Sequence, residues 1–457
     1  MMNDRTCILA AVAGVLSAGS VWAADTDLQQ QVNELRGQVA QLEQREAASS
    51  KEVAATIESV LRDAEKRSQI MAAGDSGAGY DDGFFIKSGA FVLKPGVLFQ
   101  FRNITDYRDN TPVKGNQIEN GFEVSRLELS LNGTAFTKDL TYSFMWKTAS
   151  EGGGVSLLDA YVNYMFCDAW GITAGQQTAN FTHEDFLGDG VQLAVDRSLL
   201  DAVLGGYTNR IQGMGILYGN YNEKNPLNGV LMLHDGSNSL NSNYVGHYPS
   251  DPEMAPGNHT YDFGVLARVE YKAMGSWDNY SDFTAKGVKD NLLVIGAGCN
   301  WDQGGNGDVL GFTADAQFKM NNGLALYGGV VYRYTNAAMA GDAATAAGHS
   351  DQNDWGFIIQ GSYLWNPAWE IFARYALVKF DTAVVMGADT ENTFHEISVG
   401  VNYYLGNNGS AGHRAQVTVD LDWLPNGAPM SLTGIGYLGD SNFDTELVVR
   451  GQFQLTL

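Results

Sequence analysis

Charged and apolar side chains alternate along many segments of the chain. From Phe263 to Lys272, for example, Arg268 and Glu270 stand in alternation with Val269 and Tyr271. If one face of such segments lined water, the fixed acids and bases on that face would attract or repel passing ions. The candidate bases on this face are Arg102, Arg126, Lys147, Arg268, Lys272, Lys319, Arg333, Arg374, Arg414 and Arg450, and the candidate acids are Glu128, Asp159, Asp262, Glu270, Asp315, Glu370, Glu396, Asp420 and Asp422.

The two sets nearly balance, which leaves two interpretations open. In the first, the acids and bases form cross-strand ion pairs that keep the polar face hydrated, and each pair contributes little to stability. Alternatively, acids and bases stand on opposed walls and produce a transverse field that orients dipolar solutes.

A second group of charged residues lies within residues 179–209, a long segment between two alternating stretches. An acidic segment of this kind could hold Ca²⁺, but its spacing matches no recognisable metal-binding loop, so we predict no cofactor and favour solvated charges. No Gly-x-Ser-x-Gly, phosphate-binding loop or Cys-x-x-Cys is present, so we predict no enzyme, with a membrane hydrolase as the weaker alternative. The candidate residues are His183, Glu184, Asp185, Asp189, Asp196 and Arg197.

Strands must position these side chains, because a period of two places successive residues on opposite faces. We predict sixteen antiparallel strands in an all-β transmembrane barrel over residues 84–457, with long and short connections in alternation. The stretch 273–290 is an exception, being long where a short turn is expected. Val124 breaks phase, which predicts a bulge or a strand start near Ser125. The strands are predicted at 91–105, 121–133, 140–148, 156–166, 171–178, 210–219, 228–234, 261–272, 291–300, 309–319, 323–335, 354–365, 368–380, 393–405, 412–424 and 444–457.

The N-terminal region follows a different pattern. Residues 1–23 read as a signal peptide, with Arg5 before an apolar stretch and a small-residue cleavage pattern at Val21–Ala23. Residues 25–72 carry a heptad pattern, which predicts an α-helical coiled coil in the periplasm; one amphipathic helix packed on the barrel is the alternative. Residues 73–83 are a linker by composition.

Charge and hydropathy exclude other classes of protein. The formal net charge of −24 argues against a nucleic-acid partner, which requires a basic face. After the signal segment no apolar run is long enough for a membrane helix, so a secreted chain that crosses a membrane must do so as a closed barrel. Cys167 and Cys299 fall near opposite strand ends and are predicted to be unbonded.

Sequence motifs stand out at 121–133, 158–164, 175–181, 370–375 and 399–405. Together they resemble the phosphate-selective porin O and P family of Gram-negative outer membranes, over most of residues 84–457. The resemblance implies a trimeric sixteen-stranded barrel whose third external loop, here 179–209, folds into the pore. Family members commonly carry a basic residue where this chain has Thr178, and the loop here is acidic, which favours a mild cation preference.

We therefore expect an outer-membrane porin for passive diffusion of small hydrophilic solutes and ions, narrowed by residues 179–209. An anion (phosphate)-selective channel is one alternative. A barrel-anchored envelope tether, binding peptidoglycan or another periplasmic partner through the coiled coil, is the other. The expected surroundings are outer-membrane lipid and lipopolysaccharide, with a homotrimer as the assembly.

Overall fold

The computed structural model describes residue 37 and residues 76–80, 83–108, 117–148, 153–237, 261–304, 307–336, 351–386, 389–430, 432–438 and 444–457. The predicted signal peptide and all of the predicted coiled coil except residue 37 lie outside the described residues. Of the predicted linker, residues 76–80 and 83 are described, and residues 76–80 form a β-strand, which a linker composition did not predict. Within the described part, no helix is both long and apolar enough to cross a membrane.

All sixteen predicted strands are present, and their ends differ from the prediction by six residues at most, at the end of β15. Two short strands precede them, so the long strands are numbered from β3. The strands are β1 Ser76–Tyr80, β2 Phe84–Ser88, β3 Phe91–Arg108, β4 Ile118–Ala135, β5 Thr137–Thr148, β6 Val155–Met165, β7 Trp170–Thr178, β8 Arg210–Tyr218, β9 Leu227–His234, β10 Phe263–Met274, β11 Leu292–Gly304, β12 Gly307–Lys319, β13 Leu324–Asn336, β14 Asp351–Asn366, β15 Trp369–Met386, β16 Asp389–Tyr404, β17 Ala415–Leu424 and β18 Glu446–Thr456.

The sixteen long strands close into a barrel. From β3 onward each pairs antiparallel with the next, and β18 pairs with β3, from Glu446 opposite Arg108 to Thr456 opposite Leu98. Closure leaves no unpaired edge facing lipid, which is the condition for a sheet to cross a bilayer. Strands β1 and β2 form a hairpin that pairs with β3 at Phe91, beyond the segment that β18 occupies.

Burial alternates along the strands as the charge pattern predicted. On β17, Thr418 and Asp420 are 1% exposed, whereas Val419 and Leu421 are 43% and 37% exposed. The outer face is therefore apolar and the inner face polar, as in barrels that separate lipid from water.

The predicted bulge near Ser125 is present. Gln100 of β3 lies opposite Arg126 of β4, and the next residue, Phe101, lies opposite Val124, so Ser125 has no cross-strand partner. The extra residue resets the phase, and Val124 and Arg126 point to opposite faces although they are two positions apart.

Four connections between the described strands carry structure of their own. The connection between β16 and β17 contains 3₁₀ turns at Asn407–Gly409 and Gly412–Arg414. Residues 179–209 contain two short helices, α1 (His183–Phe186) and α2 (Leu199–Val203). Residues 275–291 contain a 3₁₀ turn at Trp277–Tyr280, and residues 425–445 contain another at Thr433–Ile435. Cys167 and Cys299 are free thiols, as predicted.

Candidate permeation pathway

Residues 179–209, here called the lumenal loop, lie against inward-facing side chains on opposite sides of the barrel. Asp196 forms ion pairs with Arg102 of β3 and with Arg126 of β4, the latter at 2.6 Å. Across the barrel, the Phe181 carbonyl oxygen accepts a hydrogen bond from Arg268 of β10 at 3.1 Å. Since β3 and β10 stand seven strands apart in a ring of sixteen, the loop crosses the lumen.

Helix caps fix the local shape of the lumenal loop. Helix α1 begins after Thr182, whose hydroxyl accepts from the Asp185 amide, and α2 begins after Ser198, whose hydroxyl accepts from the Asp201 amide. The Glu184 carboxylate accepts from both the amide and the hydroxyl of Ser198, each at 2.8 Å. The first turn of α1 is thus joined to the N-terminus of α2 through Glu184 and Ser198.

A buried group of charges on β15–β18 holds the same loop from the wall. Arg450 binds the Asp420 carboxylate through two nitrogens at 2.8 and 2.9 Å, and Arg374 pairs with Glu396 at 2.6 Å. These charged groups also form hydrogen bonds with backbone atoms of the lumenal loop. The Asp420 carboxylate accepts from the Val195 amide at 2.9 Å, and Arg374 donates to the Asp196 carbonyl oxygen at 2.9 Å. Buried charges satisfied in this way fix the loop in one position.

A cavity of about 790 Å³ remains between the lumenal loop and the wall formed by β3–β7. Its bases are Arg126, Lys147, Arg197, Arg210 and Arg414, and its acids are Glu128, Asp159, Asp185 and Asp189. Ion pairs join Asp189 to Arg126 and to Arg197, and Asp159 to Arg210. The lining is therefore close to neutral and strongly polar.

The structure divides the predicted lining residues into two groups. Arg126, Glu128, Lys147, Asp159 and Arg414 line the cavity together. Those outside the cavity lining, which are packed against loops or other charged side chains, are Arg102, Arg268, Glu270, Lys272, Asp315, Lys319, Arg333, Glu370, Arg374, Glu396, Asp420, Asp422 and Arg450. Asp262 is also outside the lining and is exposed.

The residues singled out on the lumenal loop divide in the same way. Asp185, Asp189 and Arg197 line the cavity. His183, Glu184 and Asp196 are buried. Burial raises the pKa of Asp185 to about 6, although Arg197 and Arg210 oppose the shift, and burial lowers the pKa of His183 to about 4.

Sequence reasoning missed two contributions to the pathway. His413 lines the cavity, but at the sequence level it was one of several scattered histidines. The segment 275–291 folds inward, and its exceptional length was the only signal in the sequence. Among the described residues, no group of three or more potential ligands is placed to hold a metal ion.

Comparisons with known proteins agree with the barrel fold. The family model described as phosphate-selective porin O and P matches residues 97–410. An anion-selective porin from Comamonas acidovorans is 12% identical, with a TM-score of 0.51, and the match covers 80% of this chain and 99% of that one.

Two further solved structures show a similar fold. The outer membrane channel DcaP of Acinetobacter baumannii is 11% identical with a TM-score of 0.50, and the match covers 83% of this chain and 100% of that one. Salmonella typhi OmpF in complex with daunomycin is 14% identical with a TM-score of 0.50, again over 83% and 100% of the two chains. At these identities the likeness concerns the fold alone. No curated protein sequence matches the chain.

Proposed function

The chain belongs to the phosphate-selective porin O and P family of outer-membrane channels, and from that premise we propose that it is a pore for passive diffusion of small hydrophilic solutes and ions, narrowed by the lumenal loop. The observation that carries the proposal is the polar cavity of about 790 Å³ between this loop and the β3–β7 wall. A solute that crosses the barrel along this wall passes Arg126 on one side and Asp185 on the other.

The charge of the lining supports a weak ion preference. Five bases and four acids surround the cavity, and Asp189 and Asp159 are paired with arginines. Paired charges of opposite sign produce a smaller net field than a row of like charges. This arrangement gives less support to a strongly anion-selective channel, and it also reduces the cation preference expected from the acidity of the loop alone.

Planar bilayers provide the test. In a KCl gradient, purified protein is expected to give discrete conductance steps with a reversal potential close to zero. A reversal potential near the chloride equilibrium value would support the anion-selective alternative instead. Absence of conductance from correctly folded, heat-modifiable protein would overturn the pore itself.

Two further parts of the proposal concern assembly and the N-terminus. A homotrimer in outer-membrane lipid and lipopolysaccharide follows from the family resemblance, and light scattering of the detergent complex tests it. The envelope tether depends on residues 25–72, which lie almost wholly outside the described part of the chain. If residues 25–72 form the tether, deleting them should leave conductance intact and cause cells to shed outer membrane.

A further inference from the structure

The connection between β10 and β11, residues 275–291, contains several buried side chains where a turn at the barrel rim would be exposed. Trp277, Tyr280, Phe283, Thr284 and Ala285 are each less than 5% exposed. Aromatic side chains with this degree of burial must pack on protein, so the segment (here called the inward connection) folds into the barrel.

The first part of the inward connection is fixed to the turn between β8 and β9 and to the strands β10 and β12. The Trp277 indole donates to the Asn225 carbonyl oxygen at 2.8 Å, and the Tyr280 hydroxyl donates to the Glu270 carboxylate of β10 at 3.2 Å. Asp282 then pairs with Lys319 of β12 at 2.5 Å. Each partner on the strands belongs to the inner face.

The second part continues around the wall to β13–β16. The Phe283 ring lies 4.8 Å from the Tyr327 ring of β13, and the Thr284 hydroxyl donates to the Glu370 carboxylate of β15 at 2.7 Å. Lys286 then lies 5.0 Å from the Tyr404 ring of β16. The segment thus follows the inner wall across seven consecutive strands.

The inward connection also meets the lumenal loop inside the barrel. The His183 ring stacks on the Tyr280 ring, with centroids 3.9 Å apart and planes at 10°, and the Phe283 ring contacts its edge at 5.6 Å. The His183 Nε2 atom is also 2.9 Å from the Gln317 amide oxygen of β12. A segment from one rim and a loop from the other rim therefore join through one aromatic cluster.

Exposure of inward-facing residues differs between the two halves of the barrel. Behind the inward connection and the lumenal loop, none of Arg268, Glu270, Gln317, Lys319 or Glu370 is more than 1% exposed. On the opposite half, Lys147 is exposed and Glu128 is half-buried in the cavity. Water-filled space is therefore unequally divided between the two halves.

From these contacts we propose that the inward connection is a specificity-determining element that seals the β10–β16 half of the lumen, supports the lumenal loop through Tyr280, and confines permeating solutes to the β3–β7 wall. This inference rests on the proposed function, because it assigns a position to the pathway of the same pore.

Cysteine accessibility tests the proposal in the full chain. In a background with Cys167→Ser and Cys299→Ser, a charged methanethiosulfonate reagent is added during bilayer recording. At Lys147→Cys the reagent is expected to change the conductance in a step. At Ser362→Cys, a buried inner-face position of β14 beside Glu370, it is expected to have no effect.

A second variant replaces residues 278–287 with a short Gly–Ser turn. Conductance is then expected to rise about twofold, because a second conduit opens beside the first, and Ser362→Cys should become reactive. If this variant does not give heat-modifiable protein, the double substitution Tyr280→Ala and Phe283→Ala takes its place with the same readouts.

The outcomes separate this inference from the proposed function. Modification of Ser362→Cys that alters conductance in the full chain would overturn the sealing of this half. Unchanged conductance and an unreactive Ser362→Cys in the folded shortened variant would do the same. Failure of the parent background to conduct would instead overturn the pore function.

Discussion

The Asp196 carboxylate binds Arg126 at 2.6 Å across the gap between the lumenal loop and β4, and Asp196 is fully withdrawn from water. Its other oxygen binds Arg102, which is also buried. One acid of the loop therefore binds two bases of the wall, whose other ion-pair partners are Glu123 for Arg102 and Asp189 for Arg126, so Asp196 is an electrostatic attachment of the loop on this side of the barrel.

Replacing Asp196 with Ala is expected to destabilise the protein. Removal of one partner from a buried ion pair costs about 3–5 kcal/mol when the remaining charge is left uncompensated. Because Arg102 keeps Glu123 and Arg126 keeps Asp189, the lower end of that range is expected here. Urea titration of the detergent-solubilised protein, followed by tryptophan fluorescence, measures the change. Asp168→Ala is the matched control, because its pair with Lys224 is exposed on both sides. Equal stability of the two variants would contradict an anchoring role for Asp196.

Acidification is expected to shift the ion preference of the pore toward anions through Asp185. Burial raises the pKa of Asp185 to about 6, so this lining residue is negative at neutral pH and loses its charge as the pH falls below that value. Reversal potentials in a KCl gradient at about pH 7.5 and about pH 5 measure the shift.

The variant Asp185→Asn isolates the contribution of this residue to the pH effect. Other charged groups line the same cavity, so the shift of the wild type is not assigned to Asp185 alone. The shift in Asp185→Asn should be smaller than that in the wild type. Identical shifts would show that Asp185 does not face the ions.

Reversing the charge at Lys147 is expected to move the reversal potential toward cation preference. Lys147 is exposed in the cavity, so Lys147→Glu changes the charge of the lining by two units in a position that ions pass. Lys224→Glu makes the same change on an exposed connection outside the cavity lining. If both variants shift the potential equally, the cavity is not the narrow part of the pathway.

Deletion of Ser125 is expected to be tolerated, whereas deletion of Ser130 is not. Ser125 is the extra residue of a bulge, so its loss leaves Val124 and Arg126 on their present faces. Ser130 is paired regularly with Gly96 and Met145. Its loss would therefore move the β4 residues on one side of the deletion to the opposite face of the barrel wall. Heat-modifiable migration on gels reports folding. Loss of folding in the Ser125 deletion would contradict the bulge.

The barrel could be predicted from the sequence because the alternation of side chains is visible within a single strand. Alternation along a strand such as Ala415–Leu424 is set by contact with lipid on one side and water on the other, and neither depends on distant residues. Even the bulge at Ser125 was readable, since a change of phase is visible within a few positions.

The division of inward charges into exposed and buried ones could not be predicted in the same way. Lys147 and Lys319 occupy equivalent positions in the alternating pattern, yet one faces the cavity and the other is covered by Asp282. The difference arises from where a connection packs after the barrel has formed. That packing joins residues far apart in the chain, such as His183 and Tyr280, and leaves no periodic signal.

The path of the lumenal loop across the lumen has a mechanical consequence. The lumenal loop links Arg102 on β3 to Arg268 on β10 across the barrel. This link resists a change of the barrel from a circular to an elliptical cross-section. Lateral pressure from the surrounding lipid is thus transmitted to the same segment that borders the solute path. Conductance measured under graded membrane tension should vary little while this link is intact and should vary more in Asp196→Ala.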